Sequence, residues 1–305
     1  MARFPFPRVL DSTILASFRA CCAKGMMAYV EHWKPNTPSV HLHAGAAYAH
    51  GLERARRSFY EAGNPEAVAV KHGLLALNEA YGAFQTPEGS NKTRERMTGA
   101  LEFYFGRYPM SQDPATPHVL PSGRRAIEFS YAAPLPVLHP ESDEPILYSG
   151  RADMLVDYAQ GVYLLDDKTT SALGGTWISS WDLRSQFSGY CWLAQHAGFM
   201  VKGVLVRGVS ILKTKYDTLQ AITHREPWMI ERWLRQTVRD AERMILAWET
   251  GQWDYNLDES CTAYGGCQFK QVCVSEDPKP WLEMNFTRRR WDPLARTELP
   301  VESSQ

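Results

Sequence analysis

Midway along the chain two apolar runs, residues 146–157 and 161–167, meet at the short link Ala159-Gln160-Gly161. β-Branched and aromatic residues dominate both runs, as they do in strands. A connection this short leaves no room for a crossover, so the two strands must pair antiparallel as a hairpin. That local pairing commits the middle of the chain to a sheet. Residues 125–132 before it and 201–213 after it have the same strand texture.

Elsewhere the apolar spacing is helical. In 11–32, Ile14, Leu15, Phe18, Cys21, Cys22, Met26, Tyr29 and Val30 recur at helix intervals, with Ser12 or Asp11 available as the cap. Further helices are expected over 43–60, 65–84, 91–105, 182–197 and 227–251. A loop is expected over 109–122, where Pro and Ser concentrate. The polar tail after about residue 292 is expected to fray. Helices, then antiparallel strands, then helix, strand and helix predict a mixed α/β core with a helical N-terminal portion.

At 305 residues the chain is long enough for a substantial core. Its 44% hydrophobic and 22% charged content excludes general disorder. No apolar run reaches the ~18 residues of a membrane span. The start, Met1-Ala-Arg-Phe-Pro-Phe-Pro, lacks the apolar stretch of a secretory signal, so a cytoplasmic protein without membrane association is expected. The formal net charge of −1 gives no global basic field. Nucleic-acid contact would therefore rest on local clusters, for which Arg54, Arg56 and Arg57, then Lys92, Arg94 and Arg96, then Arg288, Arg289 and Arg290 are available.

The chemistry concentrates around the hairpin. Asp153 lies within its first strand, and Asp166 ends the second, thirteen positions later. The hairpin makes them neighbours, and two facing carboxylates are costly unless a cation neutralises them. Mg²⁺ or Mn²⁺ suits an all-oxygen pair. Lys168 shares a strand face with Asp166, so its ammonium projects beside the acidic pair, where it can orient water or meet charge on a phosphate. Asp167 points to the opposite face, with its carbonyl still available to a metal.

These residues resemble the PD-(D/E)XK nuclease superfamily, in particular its RecB-like branch. The shared pattern is Gly150-x-x-Asp153, a hairpin, an apolar strand ending in Asp166-x-Lys168-Thr169, and a helix bearing Gln186-x-x-x-Tyr190. The resemblance implies a restriction-endonuclease-like mixed sheet flanked by helices. It also implies metal-dependent hydrolysis of DNA phosphodiesters, with Asp153, Asp166, Lys168, Gln186 and Tyr190 catalytic. The branch carries a metal-binding histidine in a pattern like G-x-x-x-H-x-x-L-E. Gly45-Ala-Ala-Tyr-Ala-His50-Gly-Leu-Glu53 matches it with one-residue offsets, which nominates His50, with His43 as rival, to join Asp153, Asp166 and Asp167. Relatives often have an acid where Glu128 stands. Lys24, Arg54, Arg57 and Arg184 are the DNA contacts expected on this basis.

Three cysteines, Cys261, Cys267 and Cys273, stand at equal intervals near one end, and Cys21 and Cys22 near the other. A reducing compartment disfavours disulfides among them. The arrangement resembles the iron–sulfur subset of RecB-like nucleases, the AddB type, CRISPR-associated adaptation nucleases and phage relatives. That implies a [4Fe-4S] cluster on Cys21, Cys261, Cys267 and Cys273, with Cys22 as the alternative to Cys21 and Zn²⁺ as the alternative occupant. The implied division is a helical portion over 1–115, a nuclease core over 116–215, a helix and cysteine segment over 216–292 and a flexible tail over 293–305. The implied activity is that of an exonuclease on single-stranded DNA or DNA with free ends, in recombination, repair or phage DNA processing, with a recombination or helicase partner. A cluster-bearing DNA-binding subunit and a redox sensor are the alternatives.

Overall fold

The computed structural model describes residues 4–37, 39–263 and 266–301. Its elements run β1 (Val9–Asp11), α1 (Ser12–Ala20), α2 (Cys22–Gly25), β2 (Trp33–Pro35), α3 (Val40–Tyr60), α4 (Glu66–Tyr81) and α5 (Arg94–Arg107). Then come β3 (Thr116–Pro117), β4 (Ile127–Leu138), β5 (Pro145–Tyr158), β6 (Gly161–Thr170), α6 (Gly175–Ser179), α7 (Ser185–His196), β7 (Val201–Ile211) and β8 (Tyr216–His224). The chain ends with α8 (Pro227–Thr250), α9 (Glu259–Thr262), α10 (Lys270–Cys273), α11 (Lys279–Asn285), β9 (Phe286–Asp292) and β10 (Thr297–Pro300). This is a mixed α/β fold. Seven strands form one sheet in the order β1-β5-β6-β7-β8, with β3 and β4 also pairing with β5.

Contacts group the chain into two compact units. One takes Met1–Thr37, Tyr131–Gly150 and Glu231–Gln305, the other Pro38–Ser130 and Arg151–Ile230. The units interleave in sequence.

In the second unit the expected hairpin forms. Ala159 and Gln160 both take positive φ, 46° and 58°, the backbone of a two-residue turn whose twist matches the strands. β5 and β6 pair antiparallel with Met154 opposite Leu165. Extended by one residue, that register sets Asp153 against Asp166. β7 then pairs parallel with β6, placing Val206, Arg207 and Gly208 beside Asp166, Asp167 and Lys168. Met154, Val156, Leu165 and Leu205 are buried together and anchor this end of the hairpin, each apolar side chain contributing roughly 1.5–3 kcal/mol. β8 pairs antiparallel with β7. Sequence reading gave no strand there, because residues 216–224 keep no regular apolar alternation and their side chains are mostly only half-buried.

α3 and α4 pack closely because two glycines meet. A Cβ on Gly73 would lie 2.6 Å from the Gly51 carbonyl oxygen and 2.8 Å from the Ala55 Cβ. The two backbones touch where no side chain fits. α5 completes this helical layer, and Leu52, Leu77, Met97 and Leu101 fill its interior.

In the first unit the helix expected over 11–32 is broken. Asp11 caps α1, its Oδ1 accepting from Thr13 N–H (2.9 Å) and Ile14 N–H (2.8 Å). Cys21 is extended, φ −166° and ψ 123°, which ends α1 and starts α2. A π-helical turn, Met26–Val30, follows. Periodicity missed the break because both flanking pieces keep helical spacing. In the described part of the tail, Thr297–Pro300 forms a strand. β10 pairs with β9, and β9 with β2, in a three-stranded antiparallel sheet.

Candidate active site

The acidic hairpin end lies in the second unit. Lys168 Nζ pairs with Asp166 Oδ2, as expected for i and i+2 on one strand face. Asp153 Oδ2 accepts the main-chain N–H of Asp167 at 2.6 Å, which ties the two strands at their acidic end. Burial holds the Asp153 carboxyl well above the usual range, and the nearby Asp166, Asp167 and Glu128 push it further. Burial also raises Asp166, opposed by Lys168. For Lys168, burial acts downward but the two carboxylates outweigh it, so its ammonium is held more firmly than usual. This is a concentration of negative charge that one lysine does not neutralise. Asp167 Oδ1 is buried without a hydrogen-bond partner.

Asp167 faces away from this pair, as the strand alternation requires. Its Oδ2 accepts from Arg56 of α3 at 2.7 Å, both side chains being almost fully buried. Arg56 also donates to the Tyr104 hydroxyl (2.8 Å), which in turn accepts from Arg207 (3.3 Å). Arg207 forms a fork on Asp113, at 2.5 and 2.7 Å. This buried chain of charges locks β6 and β7 against α3 and α5. Nothing in local sequence pattern revealed it. Arg56 stood out only as one of three arginines in a cluster.

A cleft of about 580 Å³ opens beside the hairpin end. Asp153, Asp167, Lys168 and Thr169–Ser171 line one wall, and His41, Gly45, Tyr48, Ala49 and Leu52 of α3 the other. The Tyr48 hydroxyl, buried in that wall, has no hydrogen-bond partner.

His50 sits on α3 but is not among the cleft-lining residues. Its Nδ1 lies 3.7 Å from Glu53 Oε2, and its side chain is 48% exposed. Glu53 belongs to the same electrostatic neighbourhood, because it raises the Glu128 carboxyl, after burial and against Arg151. Glu128 is paired with Arg151 at 2.8 Å and takes φ 55°, a strained backbone for a non-glycine residue. The rival His43 is engaged in packing: its Nε2 meets the Tyr81 carbonyl oxygen at 2.9 Å and its ring stacks on Phe84.

α7 packs on β7 and presents Gln186 and Tyr190 on one face, the amide donating to the phenol at 2.9 Å. Just before it, Arg184 lies close enough to lower the Asp166 carboxyl and to oppose protonation of Lys168. Of the other expected basic contacts, Arg54 is exposed and lines a second cleft. Arg57 is occupied by Glu53, Glu61 and the Ile127 carbonyl. Lys24 lies half-buried on α2.

In the first unit Cys21, Cys261 and Cys267 are near enough to Cys273 to act on its thiol electrostatically. Burial raises the Cys273 thiol, and Cys267, Cys21 and Cys261 raise it further. Cys22 is absent from that group; it is buried, and its neighbours are Arg243, Asp254 and Cys21. Phe269, Val272 and Phe286 form an apolar bed against which Cys21 and Cys267 pack. Among the described residues, no group of three or more His, Cys, Asp or Glu side chains is already drawn together as a metal site.

A sheet bearing this acidic hairpin, flanked by helices, has the architecture of a nuclease core. The family model of the PD-(D/E)XK nuclease superfamily matches residues 12–274, and the chain belongs to that superfamily. In fold it is similar to a "Putative exonuclease" from Eubacterium rectale, with a TM-score of 0.50 and 15% identity, over 83% of this chain and 87% of that one. SSO0001 is more distant, with a TM-score of 0.31 and 13% identity over 78% of this chain and 76% of that one. No curated protein sequence matches this chain significantly. No described helix is long and apolar enough to cross a membrane.

Proposed function

We propose that this nuclease is a metal-dependent deoxyribonuclease acting on single-stranded DNA or free DNA ends as an exonuclease, in recombination, repair or phage DNA processing. The observation that carries the reading is the crowding of Asp153, Asp166 and Lys168 at one end of the hairpin. There, the crowded carboxyls of Asp153 and Asp166, both held above the usual range, suit a bound cation. Asp153 and Asp166, with the Asp167 carbonyl and His50, are the residues that would hold Mg²⁺ or Mn²⁺. When bound, such a cation polarises a phosphate and makes hydroxide available near neutral pH. Lys168 keeps its proton beside Asp166 and offers it to charge building on the scissile phosphate. Gln186 and Tyr190 orient the α7 side of the substrate, and Arg184 adds positive charge there. His50 would have to turn from Glu53, with which it is associated, to join Asp153 and Asp166.

We also propose that Cys21, Cys261, Cys267 and Cys273 hold a [4Fe-4S] cluster. Cys21, unlike Cys22, acts electrostatically on the Cys273 thiol together with Cys261 and Cys267, which favours Cys21 as the ligand. The cluster would pin two distant parts of the chain, a folding role apart from bond cleavage. Anaerobic purification tests this: a brown protein with broad visible absorption is expected, and a colourless, zinc-loaded one overturns the cluster.

The nuclease reading is tested with end-labelled single- and double-stranded DNA in Mg²⁺ and Mn²⁺. Lys168→Ala is expected to cleave about 100-fold or more slowly, the range for removing one transition-state donor. Undiminished cleavage by that variant removes Lys168 from the chemistry. Tight DNA binding without cleavage by the parent favours a cluster-bearing binding subunit.

A further inference from the structure

Lys92, in the segment before α5, points into the cleft beside the hairpin end. Its Nζ donates to the Thr169 hydroxyl at 2.9 Å. Among the described residues no carboxylate forms an ion pair with it, whereas Lys168 has Asp166 and Arg56 has Asp167. The ammonium is half-buried, and burial holds it below its usual range, so the cation lies in a wall of the cleft at a cost that no protein anion offsets. Its main chain is fixed on both sides. The Lys92 N–H donates to Ser90 Oγ (3.2 Å), and its carbonyl accepts from the Tyr81 hydroxyl (2.7 Å). A lysine placed this way is pre-organised for an anion.

Position identifies the anion. Thr169 follows Lys168 directly on β6, and Lys92, Thr169, Lys168 and Asp153 line the same cleft. An anion held by Lys92 therefore lies in the cleft that the acidic end of the hairpin also lines. The α3 wall includes the small residues Gly45, Ala46 and Ala49 beside His41, Leu42, Tyr48 and Leu52, which leaves room for a sugar-phosphate chain and offers no carboxylate to compete for the lysine.

We propose that Lys92, steadied by Thr169, binds the phosphate next to the scissile one, so that the DNA strand runs along the Gly45–Ala49 side of α3. The proposal rests on the nuclease reading for its substrate and makes a separate claim about the cleft. A substrate then needs a second phosphate beside the one cleaved, and Lys92 is a binding residue rather than part of the bond-breaking step.

The test uses the full chain and a short labelled single-stranded oligonucleotide, with binding measured by anisotropy without divalent metal and cleavage measured in Mn²⁺. Lys92→Gln is expected to weaken binding about tenfold and to flatten the slope of log affinity against log salt by ~0.7, the value for one phosphate contact on a single strand. Lys92→Arg restores both. Replacing individual linkages with neutral methylphosphonates should reveal one position, adjacent to the cleaved bond, that weakens the parent protein and leaves Lys92→Gln unchanged. Thermal melting of the variants checks that the fold is kept, and Lys92→Met, which retains the apolar stem, separates loss of charge from loss of packing. Parent-like affinity and salt slope in a folded Lys92→Gln, or equal methylphosphonate sensitivity in both proteins, overturns the proposal. If the parent binds through Lys92 yet cleaves nothing under any metal, the cleft assignment stands and the nuclease reading fails.

Discussion

Replacing Arg56 with Met should be among the most damaging single changes outside the acidic hairpin. The Arg56 and Asp167 side chains are 4% and 2% exposed and meet at 2.7 Å. Asp166 precedes Asp167 on β6 and Asp153 lies on the paired strand β5, so without the guanidinium a third carboxylate is buried near two others. Breaking a buried pair from one side costs about 3–5 kcal/mol. Protonation of a lone carboxylate at pH 7 caps its share near 4 kcal/mol. The hydrogen bond to the Tyr104 hydroxyl adds roughly 1 kcal/mol. The expected total is therefore about 4–5 kcal/mol, or on the order of 6–8 °C in Tm for a chain of this size. Arg56→Met combined with Asp167→Asn removes both charges and should recover at least half of the loss, because an apolar or neutral pair is often as stable as the ion pair it replaces. Urea and thermal unfolding of parent, both single variants and the double variant measure the cycle. A loss below about 1 kcal/mol in Arg56→Met, or a double variant no more stable than Arg56→Met alone, refutes the reasoning.

Two other perturbations follow from packing and burial. Gly73→Ala forces a methyl group into the 2.6 Å gap over the Gly51 carbonyl, and a loss of about 1–3 kcal/mol is expected in thermal unfolding; an unchanged Tm would show that the two helices separate freely. His32 is buried, and its pKa is lowered to about 4 by that burial and then by Arg290, Lys34 and Arg288. Its unfolded value is near 6.5, so below that pH the unfolded chain binds the proton first. Stability is then lost as pH falls from about 6.5 to 4, by roughly 3 kcal/mol in all. His32→Asn, which tolerates the φ of 66° at this site, should reduce the difference in Tm between pH 7 and pH 4.5, and an undiminished difference assigns the effect to other groups.

The parts of this fold that were legible in sequence are those whose cause is local. The hairpin needed only two apolar runs and a short link. Once it pairs, Asp153, Asp166 and Lys168 are brought together by strand alternation alone, and the Gln186–Tyr190 pair by helix spacing. Each prediction spans fewer than about twenty residues. The break at Cys21 was hidden because helical spacing persists on both sides of it, and its cause lies elsewhere: the Ala23 N–H donates to the Asp254 carbonyl, far along the chain. β8 and β10 were hidden because edge and surface strands need little apolar alternation to pair. Arg56 and Lys92 mark the deeper limit. An arginine on a helix face and a lysine in a polar loop carry no local signal, and only folding supplies the partners, Asp167 and Thr169, more than seventy positions away. The two differ in what folding leaves undone. Arg56 meets its counter-charge within the protein and becomes structural. Lys92 meets only a hydroxyl, and that unbalanced charge beside the acidic centre is what points outward, to the strand that the cleft would hold.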